Sequence, residues 1–254
     1  MKNDFRPGRT LCIALLAIAA PLCLAANYIN SFDAGTMDRH WKLVQPIAGV
    51  LPAQASGELE QANGWLFYSA VTSDVTTPVG ATSLLDGFRL RFDTDWKIRV
   101  QAVVDAGREA QAPLPADATV RLSMGISSGT ATGAGRYTRY SVGVSATEAG
   151  TFTDLSFANR SAGSGSIKHS KIGRRRPIGD HELMPLVISY NAQTDTLTMS
   201  TGNIARTIRR FHAQLVRRGI TDDFTVDLTA ESVGIAGDRL AMFDNFSVNG
   251  ALPR

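Results

Sequence analysis

The sequence predicts an all-β protein: an antiparallel two-sheet β-sandwich with one short helix near 204–218. Three observations carry this. Apolar and polar residues alternate with period two over long stretches, which sets one face inward and the other toward water. Turn-forming residues separate those stretches at hairpin spacing. Charges keep to one parity, as in antiparallel sheets with a single wet face. About ten such strands bury their apolar sides best as two packed sheets.

In chain order, residues 1–25 read as a secretory signal peptide. Lys2, Arg6 and Arg9 precede an apolar run from Leu11 to Leu24 that only Pro21 interrupts. Small residues at Cys23 and Ala25 place cleavage before Ala26. The run is too short to span a bilayer comfortably, and no later segment approaches 18 apolar residues. The expectation is an exported chain, periplasmic or extracellular, with no transmembrane segment and a single domain over 26–254. Asn63-Gly64 between 57–62 and 65–71 signals a hairpin. From Phe88 to Val104, Leu90, Trp96, Ile98 and Val100 alternate with Arg89, Arg91, Lys97 and Arg99. That run is long for one strand, so a bend is expected near Asp93-Thr94-Asp95. Alternation recurs over 120–126, 140–144 and 224–230, and 191–195 turns a second hairpin between 186–190 and 196–200. Residues 106–118 and 159–180, rich in Gly, Pro and Ser, read as long loops. Ile204, Ile208, Phe211 and Leu215 step by 4, 3 and 4, a helical stripe, with Asn203 placed to cap its start and Gly219 to close its end.

The chain has 254 residues, 44% hydrophobic and 19% charged, which excludes a collagen-like, coiled-coil or wholly disordered protein. Both cysteines, Cys12 and Cys23, lie in the signal. A mature chain without cysteine has no disulfide, thiol nucleophile or thiolate metal site. The mature chain is nearly neutral, but its charge is uneven. Residues 168–218 hold ten Lys/Arg and three Asp/Glu. That pole is either a face for an anionic polymer or a solvated loop and helix whose arginines cover apolar stems. Export points to an anionic polysaccharide, an envelope glycan or an anionic membrane surface, with no nucleic acid among the partners.

Three segments carry a resemblance. They are Ser31-Phe32-Asp33-Ala34-Gly35-Thr36-Met37-Asp38-Arg39-His40-Trp41, the hairpin Ile188-Ser189-Tyr190-Asn191-Ala192-Gln193-Thr194-Asp195-Thr196-Leu197-Thr198-Met199, and Met242-Phe243-Asp244-Asn245-Phe246-Ser247-Val248. Together they resemble a concanavalin A-like lectin/glucanase domain, a jelly roll of two curved antiparallel sheets, over nearly all of 27–250. The resemblance implies that first and last strands are neighbours, which brings Asp33 near Asp244. Asp244 shares parity with Leu240, Met242, Phe246 and Val248, so it is expected to point toward the apolar side. There it must be hydrogen-bonded, paired or metal-bound, and a structural Ca²⁺ held by Asp33 and Asp244 is one expectation.

The glucanase branch implies a Glu-x-Asp-x-x-Glu run, which this chain lacks. Glu58 and Glu60, and Asp93 and Asp95, read as solvated strand faces. His40, His169, His181 and His212 show no metal-ligand spacing. Tyr137 and Tyr140 flank Arg139 beside a Gly-rich loop, where they are core packing first and, if exposed, a platform for a sugar face. With the loop arginines Arg174, Arg175 and Arg176 they are the candidate ligand-binding residues, and no catalytic residue is assigned. The function expected is binding of a carbohydrate or envelope polymer without catalysis. The alternatives are a polysaccharide lyase or hydrolase, with Tyr140, His169 and Arg139 as a lyase set, and an adhesion domain with a protein partner.

Overall fold

The computed structural model describes residues 26–34, 36–44, 57–70, 78–105, 114–129, 135–164, 166–202, 204–220 and 223–253. The signal-peptide expectation and Asn203 fall outside the described residues. The chain opens with β1 (Ala26–Asn30), β2 (Trp41–Val44), β3 (Gly57–Ala62), β4 (Trp65–Ala70), β5 (Val79–Leu85) and β6 (Phe88–Arg89). Then come β7 (Trp96–Val104), β8 (Thr119–Gly129), β9 (Tyr137–Thr147), β10 (Gly150–Arg160), β11 (Lys168–Lys171) and β12 (Arg176–Ile178). It closes with β13 (Met184–Asn191), β14 (Thr196–Thr201), β15 (Ile204–Arg209), α1 (Phe211–Arg217), β16 (Thr225–Val233) and β17 (Gly237–Pro253).

These strands build two antiparallel sheets. Among the described residues one has nine strands, ordered β15-β14-β13-β7-β17-β4-β3, with β1 and β6 also on β17. The other has eight, ordered β11-β10-β9-β8-β16-β5-β2, with β12 also on β10. The period-two pattern explains the stacking. Ile98 and Val100 from the first sheet share one core with Leu122, Met124, Val142 and Val144 from the second, all without solvent exposure. Burying each such side chain is worth about 1.5–3 kcal/mol. The Asn63-Gly64 and 191–195 hairpins form as expected, and both residues of the first turn have positive φ. The expected bend separates β6 from β7. First and last strands do pair, Tyr28 opposite Val248.

Three expectations change. Residues 204–218 are not one helix: Ile204–Arg209 is an edge strand on β14, with Ile208 opposite Leu197. A spacing of four satisfies the strand period as well as the helical one, so Ile204 and Ile208 fit both. The helix starts at Phe211, after Arg210 in the left-handed region (φ 52), and buries Phe211 and Leu215. Gly219 (φ 67) closes it as expected. Second, 159–180 is not one long loop, because β10 runs to Arg160 and both β11 and β12 pair with it. All four β11 side chains are exposed, so that strand carries no alternation to read. Third, Asp244 does not follow its parity neighbours inward. The register of β17 against β7 shifts between Asp244 and Ser247, with Asn245 at φ 50. Phe243 and Phe246, three apart, are therefore both buried, and Asp244 lies on the outer side.

Candidate functional site

The outer face of the eight-stranded sheet is paved with small polar side chains. On β8 the apolar parity faces the core, which leaves Arg121, Ser123, Gly125 and Ser127 outside. On β9 the outer set is Tyr137, Arg139, Ser141, Gly143 and Ser145, and on β16 it is Asp227, Thr229 and Glu231. Register sets Asp227 opposite Gly125 and Gly125 opposite Ser141. The glycine matters: a Cβ at 125 would stand 2.5 Å from Arg139 Nε and 2.8 Å from its Cζ. The missing side chain lets the guanidinium cross β8 and reach β16.

There Arg139 meets Asp227. Its Nε donates to both carboxylate oxygens at 3.0 and 3.1 Å, and its Nη2 to Oδ1 at 2.5 Å and to Ser123 at 3.0 Å. Asp227 is wholly buried and Arg139 is 3% exposed. Asp227 and its hydrogen bonds hold the guanidinium protonated, above its ordinary range, against the opposing effect of burial. Beside this pair, Arg121 Nη2 donates to Asp154 at 2.8 Å and to Ser156 at 3.0 Å, and its Nη1 lies 3.5 Å from Glu231. Burial pushes the Glu231 carboxyl above the usual range, although Arg121 and Arg139 pull it down. Three acids and two arginines thus lie side by side on this face. The sequence pattern marked Asp227 as solvent-side, and nothing in it signalled that a residue two strands away would cover it.

The structure divides the sequence-predicted ligand residues. Tyr137 and Arg139 share the outer face, and Tyr140 lies on the opposite face, its ring 4.8 Å from Phe157 and 4.9 Å from Phe211. All three are buried, at 2%, 3% and 6% exposure, so they pack and do not form an exposed ligand platform. The lyase trio is split as well, since Tyr140 points inward while His169 sits on exposed β11 opposite Ala158. Arg174, Arg175 and Arg176 are exposed, as expected, at the start of β12 and just before it. Glu58, Glu60, Asp93 and Asp95 are exposed too. Asp95 accepts the Ala192 N–H at 2.7 Å, and so ties down the 191–195 turn.

Asp33 and Asp244 come close enough to repel each other. Burial raises the Asp244 carboxyl, the Asn245 N–H lowers it and Asp33 raises it further. Asp244 Oδ2 accepts the Asn245 amide at 2.7 Å, and Asp33 accepts the Ser31 hydroxyl. No group of three or more His, Cys, Asp or Glu that would hold a metal lies among the described residues. Ca²⁺ asks for six to eight oxygen ligands, and this engaged pair does not supply such a set.

Arginine gathers instead on one flank, where the β10–β12 edge of one sheet meets the β15 edge of the other. A cleft of about 300 Å³ is lined by Arg174, Arg176 and Arg206 between the two edges. A second, about 380 Å³, is lined by Arg209, Arg210, Arg217 and Arg218 on and beside α1. A third, about 480 Å³, is lined by Arg136, Arg160 and Arg218 where β9 begins and β10 ends. Among the described residues no carboxylate lines any of the three.

No family model matches the chain, and no curated protein does. Solved structures do. The CBM2 module of Lactobacillus casei BL23 phage J-1 evolved Dit aligns with a TM-score of 0.56 at 10% identity, covering 91% of this chain and 98% of its own. A lectin from Bauhinia forficata in complex with GalNAc aligns at 0.51 and 9% identity, over 91% and 99% of the two chains. The catalytic domain of an endo-1,3-beta-glucanase (laminarinase) from Thermotoga petrophila RKU-1 aligns at 0.50 and 9% identity, over 89% and 97%. At such identities the likeness speaks for architecture alone. The two stacked antiparallel sheets of this chain are a concanavalin A-like jelly roll.

Proposed function

We propose that the protein is an exported, non-catalytic glycan-binding sandwich that takes an anionic polysaccharide or envelope glycan along its basic flank. One observation carries this reading: among the described residues the three flank clefts are lined by arginines and by no acid. Exposed guanidinium groups are matched to carboxylate, sulfate and phosphate, which they bind through paired N–H donors. The fold suits the reading, since its structural neighbours include a lectin in complex with GalNAc and a carbohydrate-binding module by name. Retention on heparin and alginate matrices tests it. The wild-type chain is expected to bind and to elute with salt, and the triple variant Arg174→Glu, Arg175→Glu, Arg176→Glu to elute much earlier. Equal retention of the two would overturn the proposal.

A second reading, polysaccharide cleavage, has one observation in its favour. Glu231, an acid with raised proton affinity, lies across Arg121 from Asp154 on the outer face. It ranks second because Arg121 already engages both groups. New reducing ends or unsaturated ends released from polysaccharide by the wild-type chain, and not by Glu231→Gln, would promote it. No product from any tested polymer would retire it.

A further inference from the structure

The cleft between the two sheet edges differs from the other two because it joins cations to an aliphatic wall. Alternate side chains of a strand share a face, so on β15 Ile204 and Arg206 point to the same side. Across from them stands the corner between β11 and β12, where the Ile172 N–H donates to the Leu155 carbonyl at 2.7 Å. Ile172 and Ile204 are half-buried and pack against the core, which leaves part of each to face the cleft. Gly173 (φ 90) makes room for Arg206, since a Cβ there would stand 3.1 Å from its Nε.

Arg174, Arg176 and Arg206 line the same cleft, and all three are exposed. No ion pair among the described residues joins any of them to an acid, and Arg206 Nη1 donates to the Ala205 carbonyl at 3.3 Å. Like charges lining one cleft repel, and a bound oxyanion relieves that repulsion. Among the described residues no aromatic ring lines the cleft, so it offers no platform for a sugar face. Its apolar surface is aliphatic and suits an alkyl chain. The cleft measures about 300 Å³, at the small end of the range of about 300 to 1,000 Å³ for small-molecule sites.

We infer that this cleft binds a short single-chain amphiphile with an oxyanion head, a fatty carboxylate or an alkyl sulfate, its head on Arg174, Arg176 and Arg206 and its chain against Ile172 and Ile204. A tenfold gain in affinity from the chain needs only about 55 Å² of apolar surface covered, which two part-exposed isoleucines can supply. The inference goes beyond the glycan reading and does not depend on it, since the other two clefts stay available to a polymer.

Titration of the full chain with octanoate, octyl sulfate, acetate and octanol, followed by backbone amide chemical shifts, tests it. At least one of the two amphiphiles is expected to move the amides of 172–174 and 204–206, and the tighter one names the head recognised. Acetate, a head without a chain, and octanol, a chain without a charge, are each expected to bind at least about 10-fold more weakly. Arg206→Gln is expected to weaken amphiphile binding about 10-fold. Ile204→Ser is expected to do the same while eluting from heparin where the wild-type chain does. Should serine at 204 unfold the chain, the exposed Arg206→Gln carries the comparison. Absence of binding by both amphiphiles, acetate or octanol binding as tightly as they do, or undiminished binding by the folded variants would overturn the site. Continued retention on heparin in that event leaves the glycan reading standing. Amphiphile binding by a chain that heparin does not retain removes the glycan reading alone.

Discussion

On the outer face of the eight-stranded sheet, Arg121 and Arg139 each meet acids and lie among hydroxyls. On the flank, no ion pair among the described residues joins Arg174, Arg175, Arg176 or the arginines of β15 and α1 to any acid. The same side chain therefore does two jobs. Inside the network a guanidinium is a structural crosspiece, oriented by Asp227 or Asp154 and shielded from water. On the flank its donors face solvent and stay available to an external anion. The lesson is that counting arginines locates neither job. What separates them is whether a carboxylate lies within reach.

The largest expected effect comes from breaking the network. Asp227→Ala strands the Arg139 charge in a buried site and is expected to cost about 3–5 kcal/mol in denaturant unfolding. The double variant Arg139→Met, Asp227→Leu is expected to recover most of that loss, because two apolar residues leave no buried charge unpaired. Next is Gly125→Ala, whose new methyl displaces the guanidinium from its path across β8. A loss of about 1–3 kcal/mol is expected, and a null effect in thermal melting would mean that Arg139 does not need that route. The third variant sharpens the comparison, because one acid does organise the flank. Asp195 accepts the N–H groups of His212 at 2.6 Å and Ala213 at 3.1 Å in the first turn of α1. Burial opposes its ionisation, but those N–H groups and the Tyr190 hydroxyl hold the carboxyl below its ordinary range. A depressed carboxylate stabilises the fold above its unfolded pKa, and the contribution fades as pH falls through the folded value. Asp195→Ala should cost about 0.5–2 kcal/mol at pH 7 and progressively less below about pH 4, as read by unfolding at a series of pH values. Smallest in stability is the triple reversal of Arg174, Arg175 and Arg176. It should shift unfolding by no more than about 0.5 kcal/mol while making the chain elute much earlier from anionic matrices, which separates binding from folding.

Much of the architecture was legible because strand burial is local. Leu90, Trp96, Ile98 and Val100 announce an inward face without help from the rest of the chain, and the structure buries each. The candidate site was less legible because it depends on register. Asp227 and Arg139 are 88 residues apart and meet only because β16, β8 and β9 align Asp227 with Gly125 and Ser141. No pattern within one strand encodes that. Tyr137 and Arg139 beside a Gly-rich loop left both burial and exposure open, and a glycine on the neighbouring strand lets the arginine lie down against the sheet. The arginines at 174–176 were read directly, since exposure needs no partner to be inferred. Their convergence with Arg206 was not, because β15 was read as helix.

The final strand has a consequence for how the chain reaches this structure. β17 stands between β4 and β7 and also receives β1 and β6, so the strand made after all the others of its sheet is that sheet's centre plank. Until it arrives, β4 and β7 present open edges to each other and to any other strand nearby. Assembly of this sheet's earlier strands must therefore wait for β17. A chain leaving a ribosome or threading a membrane pore is most vulnerable to mispairing during that interval, and a holding partner is most useful to it then.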